Sequence, residues 1–417
     1  QEGMYFHHLM SNREGGDSYV VPYLLSFTEE DKRTSFIEAL QFVVNRHDVL
    51  RTMVLSEGLP RPVQVVQKET ILHVEDLKID ESKDVLAELQ ELIAPGNQWM
   101  DVTKAPLLGL QKADDPKNNT YYLILLEHHL IMDHVGMETI ISEIIAYSSG
   151  KGGNLAEPSL YREFIGHTLH QQATNDSESY FKGLLENIDT PTYPFDLSNI
   201  QVTGESIKES EVILPKDLSK EIRNICTRKG MSPATLFHAA YGIVIGRCSN
   251  RDYAIFGSLF SGRLQGASGA AESLGLFINT LSFLVDLKGN VSEYVEGVKQ
   301  KLQDLLPYEQ TPLSSIQSWS DISNEVPFFS ALLNYRHSSL ETEKIDENTI
   351  DLGIEILSDH ERTNYPFTLS VDDYGKEFKL TAQIDGSIDT ERVLAFMEEA
   401  LVQLIEGVQS KEAIPVA

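Results

Sequence analysis

The stretch EHHLIMDHVG, residues 127–136, gathers three histidines and two acids directly after the apolar run YYLILL. Imidazoles and carboxylates are the side chains that most often bind metals or carry protons near neutral pH. The residue types therefore allow three interpretations: a metal site, a site of proton transfer, or a polar turn that stabilises itself. The candidate residues are His128, His129, Asp133 and His134.

The spacing of these residues argues against a metal site. A zinc-binding helix presents two histidines at i and i+4, whereas Met132 and Asp133 stand four positions beyond the histidine pair. The pair also ends a predicted strand, in which neighbouring side chains point to opposite faces. The two rings would therefore not converge on one ion, and we predict no metal.

The structural and the catalytic interpretations both stay open for this stretch. Asp133 can cap a helix that begins near Val135 or pair with a distant arginine, and we favour a structural role for it and for His128. Two adjacent imidazoles also predict that one ring faces inward and that the other faces a cavity, where it can act as base and acid. We expect an amine or hydroxyl to attack a thioester there.

No separate nucleophile is evident for such an acyl transfer. The sequence contains no GxSxG motif, and Cys226 and Cys248 lie in predicted helices with nothing beside them to activate a thiolate. The sequence therefore predicts direct transfer without a covalent acyl-enzyme.

Composition narrows the class of protein. Acids outnumber bases by 63 to 34, which gives a formal charge of −29 and disfavours binding to nucleic acid or anionic lipid. No apolar run reaches the roughly 20 residues of a membrane helix, and the N-terminus does not resemble a signal peptide. The chain does not open on Met, which suggests a segment of something longer. Two cysteines without a framework agree with a reducing, cytoplasmic location.

Periodicity predicts strands and helices in alternation, and the length of 417 residues favours two lobes. The predicted boundary is a polar, proline-containing stretch at about 171–206, so the lobes are residues 1–175 and 176–417. The expected fold class is α/β, an α+β sandwich with a mixed sheet layered by helices in each lobe. Predicted strands include 18–27, 105–113, 120–127 and 253–260, with edge or hairpin strands at 327–336 and 367–384; predicted helices include 31–45, 84–93, 137–149, 215–229, 232–248 and 389–408.

Several motifs together resemble the condensation domains of nonribosomal peptide synthetases, within the chloramphenicol acetyltransferase-like superfamily. HHLIMDHVG resembles the family signature HHxxxDG. The other matching segments follow in the family's order and span essentially the whole chain: RHDVLRT (46–52), PSLYREF (158–164), FGSLFSGR (256–263), LGLFINTL (274–281), LPYEQTPLSSI (306–316) and LLNYRHS (332–338).

The resemblance implies two lobes in a V-shaped pseudo-dimer with a tunnel between them. It implies peptide-bond formation between donor and acceptor substrates tethered to phosphopantetheine arms, with His129 as the catalytic residue. Asp133 is expected to pair with Arg263. The remaining tunnel residues are expected to be Asn279, Gly136 and Tyr335.

The same resemblance implies partners rather than a resident cofactor. Upstream and downstream peptidyl carrier proteins would deliver the arms, and an adenylation domain of the same synthetase would lie adjacent. The excised domain is expected to be monomeric.

Two features separate this chain from a plain condensation domain. His134 stands where the family usually has glycine, and its side chain would narrow the tunnel or add a second proton carrier. The N-terminus resembles the HH[I/L]xxxxGD segment of dual epimerisation/condensation domains through His7, His8, Leu9, Gly16 and Asp17, although six residues rather than four separate Leu9 from Gly16. The resemblance implies epimerisation of the donor residue before condensation, with the His7/His8 pair supplying part of the acid–base chemistry and His129 or His134 the rest.

Three alternatives to the dual function remain. The chain could catalyse condensation without epimerisation, act as a free-standing acyltransferase that uses coenzyme A, or serve as a catalytically silent docking platform. The N-terminal histidine pair could also be merely structural. The complete histidine motif and the full-length match favour the condensation function.

Overall fold

The computed structural model describes residues 1–416 except 11–15, 81, 95–96, 187, 201–205, 264–272, 324, 338–353 and 360–364. Contacts divide the chain into two compact units. Unit 1 contains residues 1–167 together with the described parts of 266–277 and 345–362, and unit 2 contains the rest. This division differs from a single cut after residue 175, because a strand from the C-terminal half pairs within the sheet of unit 1.

Unit 1 is built on a five-stranded sheet and a separate two-stranded sheet. The elements of unit 1 are α1 (Glu2–Met10), β1 (Val20–Phe27), α2 (Glu30–Arg46), β2 (Thr52–Leu55), β3 (Val63–Val66), β4 (Val74–Asp76), α3 (Val85–Leu92), β5 (Leu108–Asp115), β6 (Thr120–His128), α4 (His134–Ser148) and β11 (Ile354–Asp359), and α5 (Tyr161–Thr174) runs across the boundary between the units. The strand order in the larger sheet is β11-β1-β6-β5-β4, and β2 and β3 form the smaller sheet.

The central strand β6 is buried on both faces, which explains its nearly continuous apolar sequence. Leu123 and Leu125 pack in the cluster that includes the buried residues of α2 and α4. Ile124 and Leu126 pack in the cluster that includes α3. This alternation continues to the end of the strand and decides which way the histidines point.

Unit 2 is built on a six-stranded sheet with the order β7-β13-β12-β10-β8-β9. The helix α8 is buried along most of its length, because Leu236, Phe237, Ala240 and Ile245 pack in one large cluster. The elements of unit 2 are α6 (Ser177–Leu184), β7 (Ile207–Ile213), α7 (Lys216–Lys229), α8 (Pro233–Cys248), β8 (Tyr253–Phe260), β9 (Asn279–Asp286), α9 (Val291–Leu305), α10 (Leu313–Ser318), β10 (Ala331–His337), β12 (Phe367–Asp373), β13 (Phe378–Asp385) and α11 (Thr390–Gln409).

The mixed α/β prediction is confirmed, and one element of it is wrong. Strands β12 and β13 form the predicted antiparallel hairpin. Strand β10 was expected at an edge or in a hairpin, but it lies inside the sheet and runs parallel to both β12 and β8. Within the described residues, none of the helices combines the length and the apolar composition that crossing a bilayer requires.

Candidate functional site

The histidine stretch lies at the end of β6, in the turn before α4. The backbone N–H of His129 donates to the carbonyl of Tyr19, so the ladder with β1 extends one residue beyond the strand. The turn then closes through the N–H of Ile131, which donates to the carbonyl of His128. The two histidines therefore keep strand-like alternation, and their rings have different surroundings.

The ring of His129 is mostly buried, with 8% of the residue exposed. Its Nδ1 lies 3.2 Å from the carbonyl oxygen of Met132. A carbonyl can only accept, so Nδ1–H is the donor and the neutral ring carries its lone pair on Nε2. The carboxylate of Glu127 lies on the Nδ1 side, 3.8 Å away. This arrangement orients an imidazole whose Nε2 can take up a proton.

The ring of His128 is fully buried and contacts a different carboxylate. Its Nδ1 accepts the backbone N–H of Leu130 at 3.1 Å, so Nε2 carries the proton and donates to Asp17 at 3.2 Å. Nδ1 of His8 lies 2.5 Å from the same Asp17 oxygen. Asp17 thereby joins the N-terminal motif to the first histidine of the pair.

Burial and hydrogen bonding shift the pKa values of Asp17 and His128 in opposite directions. Burial alone would raise the pKa of Asp17, but the bonds from His128 and His8 and from the N–H of Tyr19 outweigh it and hold that pKa well below its usual range. Burial lowers the pKa of His128, and the bond to Asp17 offsets only part of the shift. The cluster at neutral pH is therefore a carboxylate that accepts from a neutral His128 and from His8.

His8, Asp17 and His128 also have the ligand types and spacing of a metal site, since their ligand atoms all lie within 4.8 Å of one another. Binding a metal through Nε2 of His128 would move the ring proton to Nδ1. Nδ1 already faces the N–H of Leu130, and two donors would then meet. The donor set therefore favours a hydrogen-bonded cluster over a metal centre.

The two N-terminal histidines have different contacts, although both lie on α1. His8 is buried, stacks on Trp99 with 5.5 Å between ring centroids, and meets the ring of His128 edge-on. His7 is half-buried and meets the ring of Tyr19 edge-on. Residues 11–15, between Leu9 and the motif glycine Gly16, lie outside the described residues, and Asp17 reaches both His8 and His128.

Asp133 is the N-cap residue of α4, which begins at His134. Its carboxylate accepts the N–H of Gly136 as an N-cap and also accepts the N–H of Phe277 at 3.2 Å. His134 occupies the first helical position; its side chain is 39% exposed, and its Nε2 lies 3.8 Å from Glu138 one turn later. Gly136 is buried, and an added Cβ would lie 2.8 Å from Cβ of Met132.

The other predicted site residues lie in unit 2. The side-chain amide of Asn279, at the start of β9, donates to the carbonyls of Glu309 and Thr311 at 2.9 and 2.8 Å. The hydroxyl of Tyr335 donates to Asp373 at 2.7 Å. Burial and the neighbouring carboxylate raise the pKa of Tyr335 well above its usual value. The Asp133–Arg263 ion pair would connect the two units and stays a prediction, as do the tunnel roles of these residues.

Two buried acids near the histidine stretch were given no role from the sequence. Glu127 is 1% exposed at the end of β6. Glu143, on α4, accepts from Arg46 and lies 3.0 Å from Nε2 of His47, both part of the RHDVLRT motif. Their signal in the sequence is a charged residue inside an apolar run, which is uncommon unless the charge has a partner.

The two cysteines are poor nucleophiles. Burial raises the pKa of Cys226 to about 12 and that of Cys248 to about 11. Both thiols are therefore protonated at neutral pH, which agrees with the prediction of transfer without a cysteine intermediate.

Comparison with known proteins identifies the family to which this chain belongs. Malpibaldin synthetase from Mortierella alpina is 35% identical over 418 residues, which is all of this chain but 7% of that protein; the chain thus spans less than a tenth of this curated relative. A holo four-domain nonribosomal peptide synthetase bound to AMP and glycine superposes with a TM-score of 0.76 at 15% identity, over 98% of this chain and 33% of that one.

A second solved structure shows that the fold does not separate subtypes. The epimerization domain from the third module of tyrocidine synthetase B superposes with a TM-score of 0.72 at 14% identity, covering 98% of this chain and 95% of that domain. At such identities the likeness establishes the fold alone. The family model for the condensation domain matches residues 1–413, and the chain therefore belongs to the condensation-domain family of nonribosomal peptide synthetases.

Proposed function

We propose that this chain forms a peptide bond between a donor acyl thioester and an acceptor amine, each carried on a phosphopantetheine arm. The observation that carries the proposal is the geometry of His129. Its Nδ1–H donates to the carbonyl of Met132, which places the lone pair on Nε2 of a ring that is shielded but not sealed from solvent. Such a ring is suited to general base catalysis.

In the proposed step the acceptor amine attacks the thioester carbonyl carbon. Nε2 of His129 takes a proton from the attacking nitrogen as the C–N bond forms. The C–S bond then breaks, and the imidazolium returns the proton to the departing thiolate. Atoms and charge balance with no external oxidant or reductant.

The substrates and partners belong to the same proposal. Because the chain spans only a small part of its relative, other parts of a synthetase would supply upstream and downstream carrier proteins and an adenylation domain. The pantetheine arms arrive with the carriers, so the proposal includes no resident cofactor. A cytoplasmic location stays an expectation.

We further propose that the donor residue is epimerised before condensation. Inverting the α-carbon needs one group to remove its proton, another to return it on the opposite face, and stabilisation of the enolate between these steps. His8 supports this role because Asp17 orients its Nδ1–H, which leaves Nε2 as the basic atom of the neutral ring. His129 would serve the opposite face.

Condensation without epimerisation is the second candidate, and the burial of His8 favours it. At 5% exposure, a ring stacked on Trp99 and bound to Asp17 could simply fasten α1 to the sheet. The cluster would then be structural.

The condensation proposal is tested with a donor and an acceptor loaded on carrier proteins. His129→Gln should abolish dipeptide formation, whereas the exposed His73→Gln in the same unit should retain it. Unchanged turnover by His129→Gln would overturn the proposal. Efficient turnover of soluble acyl-coenzyme A by the wild type would instead support a free-standing acyltransferase.

The epimerisation proposal is tested by the chirality of the product. An L-configured donor should give a product with a D centre in the wild type and an L centre in His8→Gln. An exclusively L product from the wild type rejects epimerisation and leaves condensation alone.

A further inference from the structure

Glu127 is an ionisable side chain in the apolar core of unit 1. It lies on β6 two residues after Leu125 and two before His129, so these three side chains share one face of the strand. The residue is 1% exposed. A carboxylate in such a place is costly unless charge or hydrogen bonds compensate for the lost water.

The two oxygens of Glu127 face different groups. The hydroxyl of Tyr23, on the neighbouring strand β1, donates to Oε2 at 3.3 Å. Oε1 lies 3.8 Å from Nδ1 of His129. The other titratable ring nearby, that of His128, is turned toward Asp17. The carboxylate is thereby held on the side of His129 opposite to Nε2.

This position affects the protonated form of His129 more than its neutral form. A neutral ring needs only the carbonyl of Met132 as acceptor for Nδ1–H. When Nε2 gains a proton, the positive charge spreads to Nδ1, next to a buried carboxylate. The attraction between opposite charges is stronger in a poorly solvated site than in water.

We propose that Glu127 is a positioning residue for His129: its buried carboxylate stabilises the imidazolium that forms while the ring holds the proton of the acceptor amine. The inference rests on the proposed function, since it assigns a role in the same step. The proton moves from the amine nitrogen to Nε2 and then to the thiolate sulfur, and Glu127 itself neither gains nor loses one. Tyr23 orients the carboxylate.

The test is Glu127→Gln, which keeps the shape and removes the charge. We expect kcat to fall between about 10- and 100-fold with little change in KM, because the charge acts only when the ring is protonated. The acid limb of the kcat–pH profile should move to lower pH, since the imidazolium of His129 gives up its proton more readily without the neighbouring negative charge. Glu127→Asp should restore part of the rate and most of the profile.

Two further variants separate a specific role from a structural one. Glu143→Gln removes another buried carboxylate of the same unit, which pairs with Arg46 and His47, and should lower the melting temperature without moving the acid limb. Tyr23→Phe should move the limb in the same direction as Glu127→Gln but less. It also provides the test if Glu127→Gln does not fold.

The possible results distinguish this inference from the proposed function. If His129→Gln abolishes activity while Glu127→Gln keeps the wild-type rate and profile, the role of Glu127 is rejected and the function stands. If His129→Gln is fully active, the proposed function fails first. A rate loss in Glu127→Gln with an unmoved acid limb, matching Glu143→Gln, would show that the carboxylate serves stability alone.

Discussion

At the scale of single residues, hydrogen-bond partners set the tautomers of two adjacent histidines. The N–H of Leu130 donates to Nδ1 of His128, so that ring binds Asp17 through Nε2–H. The carbonyl of Met132 accepts from Nδ1 of His129, so that ring keeps its lone pair on Nε2. The backbone therefore gives one histidine a donor role and the other a basic role.

Asp17→Asn tests the buried cluster at this scale. An amide has one acceptor oxygen and no charge, so it cannot replace a carboxylate that accepts from His8, His128 and the N–H of Tyr19. We expect a loss of about 3 kcal/mol in the free energy of unfolding near pH 7. Denaturant titration of both proteins measures it, and a loss below ~0.5 kcal/mol would contradict the assignment.

The pH dependence of that loss provides a control. The pKa of Asp17 is lowered in the folded protein, so its contribution is present above the unfolded value of about 4 and is lost as the pH falls through the folded value. The difference between wild type and Asp17→Asn should be fully present near neutral pH and should shrink in strong acid, where the carboxyl of Asp17 becomes protonated in the folded protein.

At the scale of elements, the start of α4 positions the histidine turn. Asp133 caps the helix and holds the amide of Phe277, while Glu143 on the same helix binds Arg46 at the end of α2. The RHD segment and the HHxxxD segment, distant in sequence, thus fix the same helix. A change at either point should lower the stability of this helix.

Asp133→Ala should remove both acceptor functions. The lost cap and the unsatisfied Phe277 amide together predict a destabilisation of roughly 2–4 kcal/mol, with activity falling in parallel. Asp133→Asn keeps one acceptor oxygen, so it should retain the cap on Gly136 while the amide of Phe277 loses its acceptor, and its loss of stability should lie between that of wild type and Asp133→Ala. Near-normal stability in Asp133→Asn would argue against both the bond from Phe277 and a stabilising charge pair with Arg263.

Gly136 provides a second test of the same turn. Its Cβ position lies against Cβ of Met132, which is not a flexible chain end, so Gly136→Ala should destabilise by about 1–3 kcal/mol. Gly297 lies in the exposed middle of α9 with open space around its Cβ position, so Gly297→Ala should stabilise by about 0.5–1 kcal/mol. Thermal melts measure the change in stability of each variant. If both variants were stabilised, or both destabilised, the packing argument would be contradicted.

At the scale of the whole molecule, the core of unit 2 contains a buried serine–histidine pair. Nδ1–H of His238 donates to the carbonyl of Ala234, and Nε2 accepts from the hydroxyl of Ser258, both at 2.7 Å. The geometry resembles that of a catalytic pair. Burial lowers the pKa of His238 to about 4, and Ser258 is 1% exposed, so the pair is a weak base beside an inaccessible hydroxyl.

This pair predicts a loss of stability in mild acid. The unfolded chain binds a proton at His238 below about pH 6.5 while the folded chain resists it, so the stabilisation is present above about pH 6.5 and is lost as the pH falls toward about 4. The contribution is on the order of 3 kcal/mol. Denaturant titrations between about pH 7 and about pH 4 give the free energy of unfolding at each pH, and this free energy should fall less steeply with decreasing pH in His238→Gln than in the wild type.

The sequence by itself determined the mixed α/β class, the positions of most helices and strands, and the family. The fold class and the elements follow from local periodicity and chain length. The family follows from motifs that occur in the expected order along the chain. It also predicted that adjacent histidines on a strand would diverge, because strand alternation is a local property. The cap by Asp133 followed from the same local reasoning.

Only the tertiary structure decided which distant groups meet. The contact of Asp17 with His128 joins residues 111 positions apart, and no local pattern encodes such a distance. The same holds for β10, whose sequence does not reveal that its neighbours are parallel strands on both sides. Glu127 was visible as a charge in an apolar run, but its placement beside Nδ1 of His129 depends on the turn that closes through Met132.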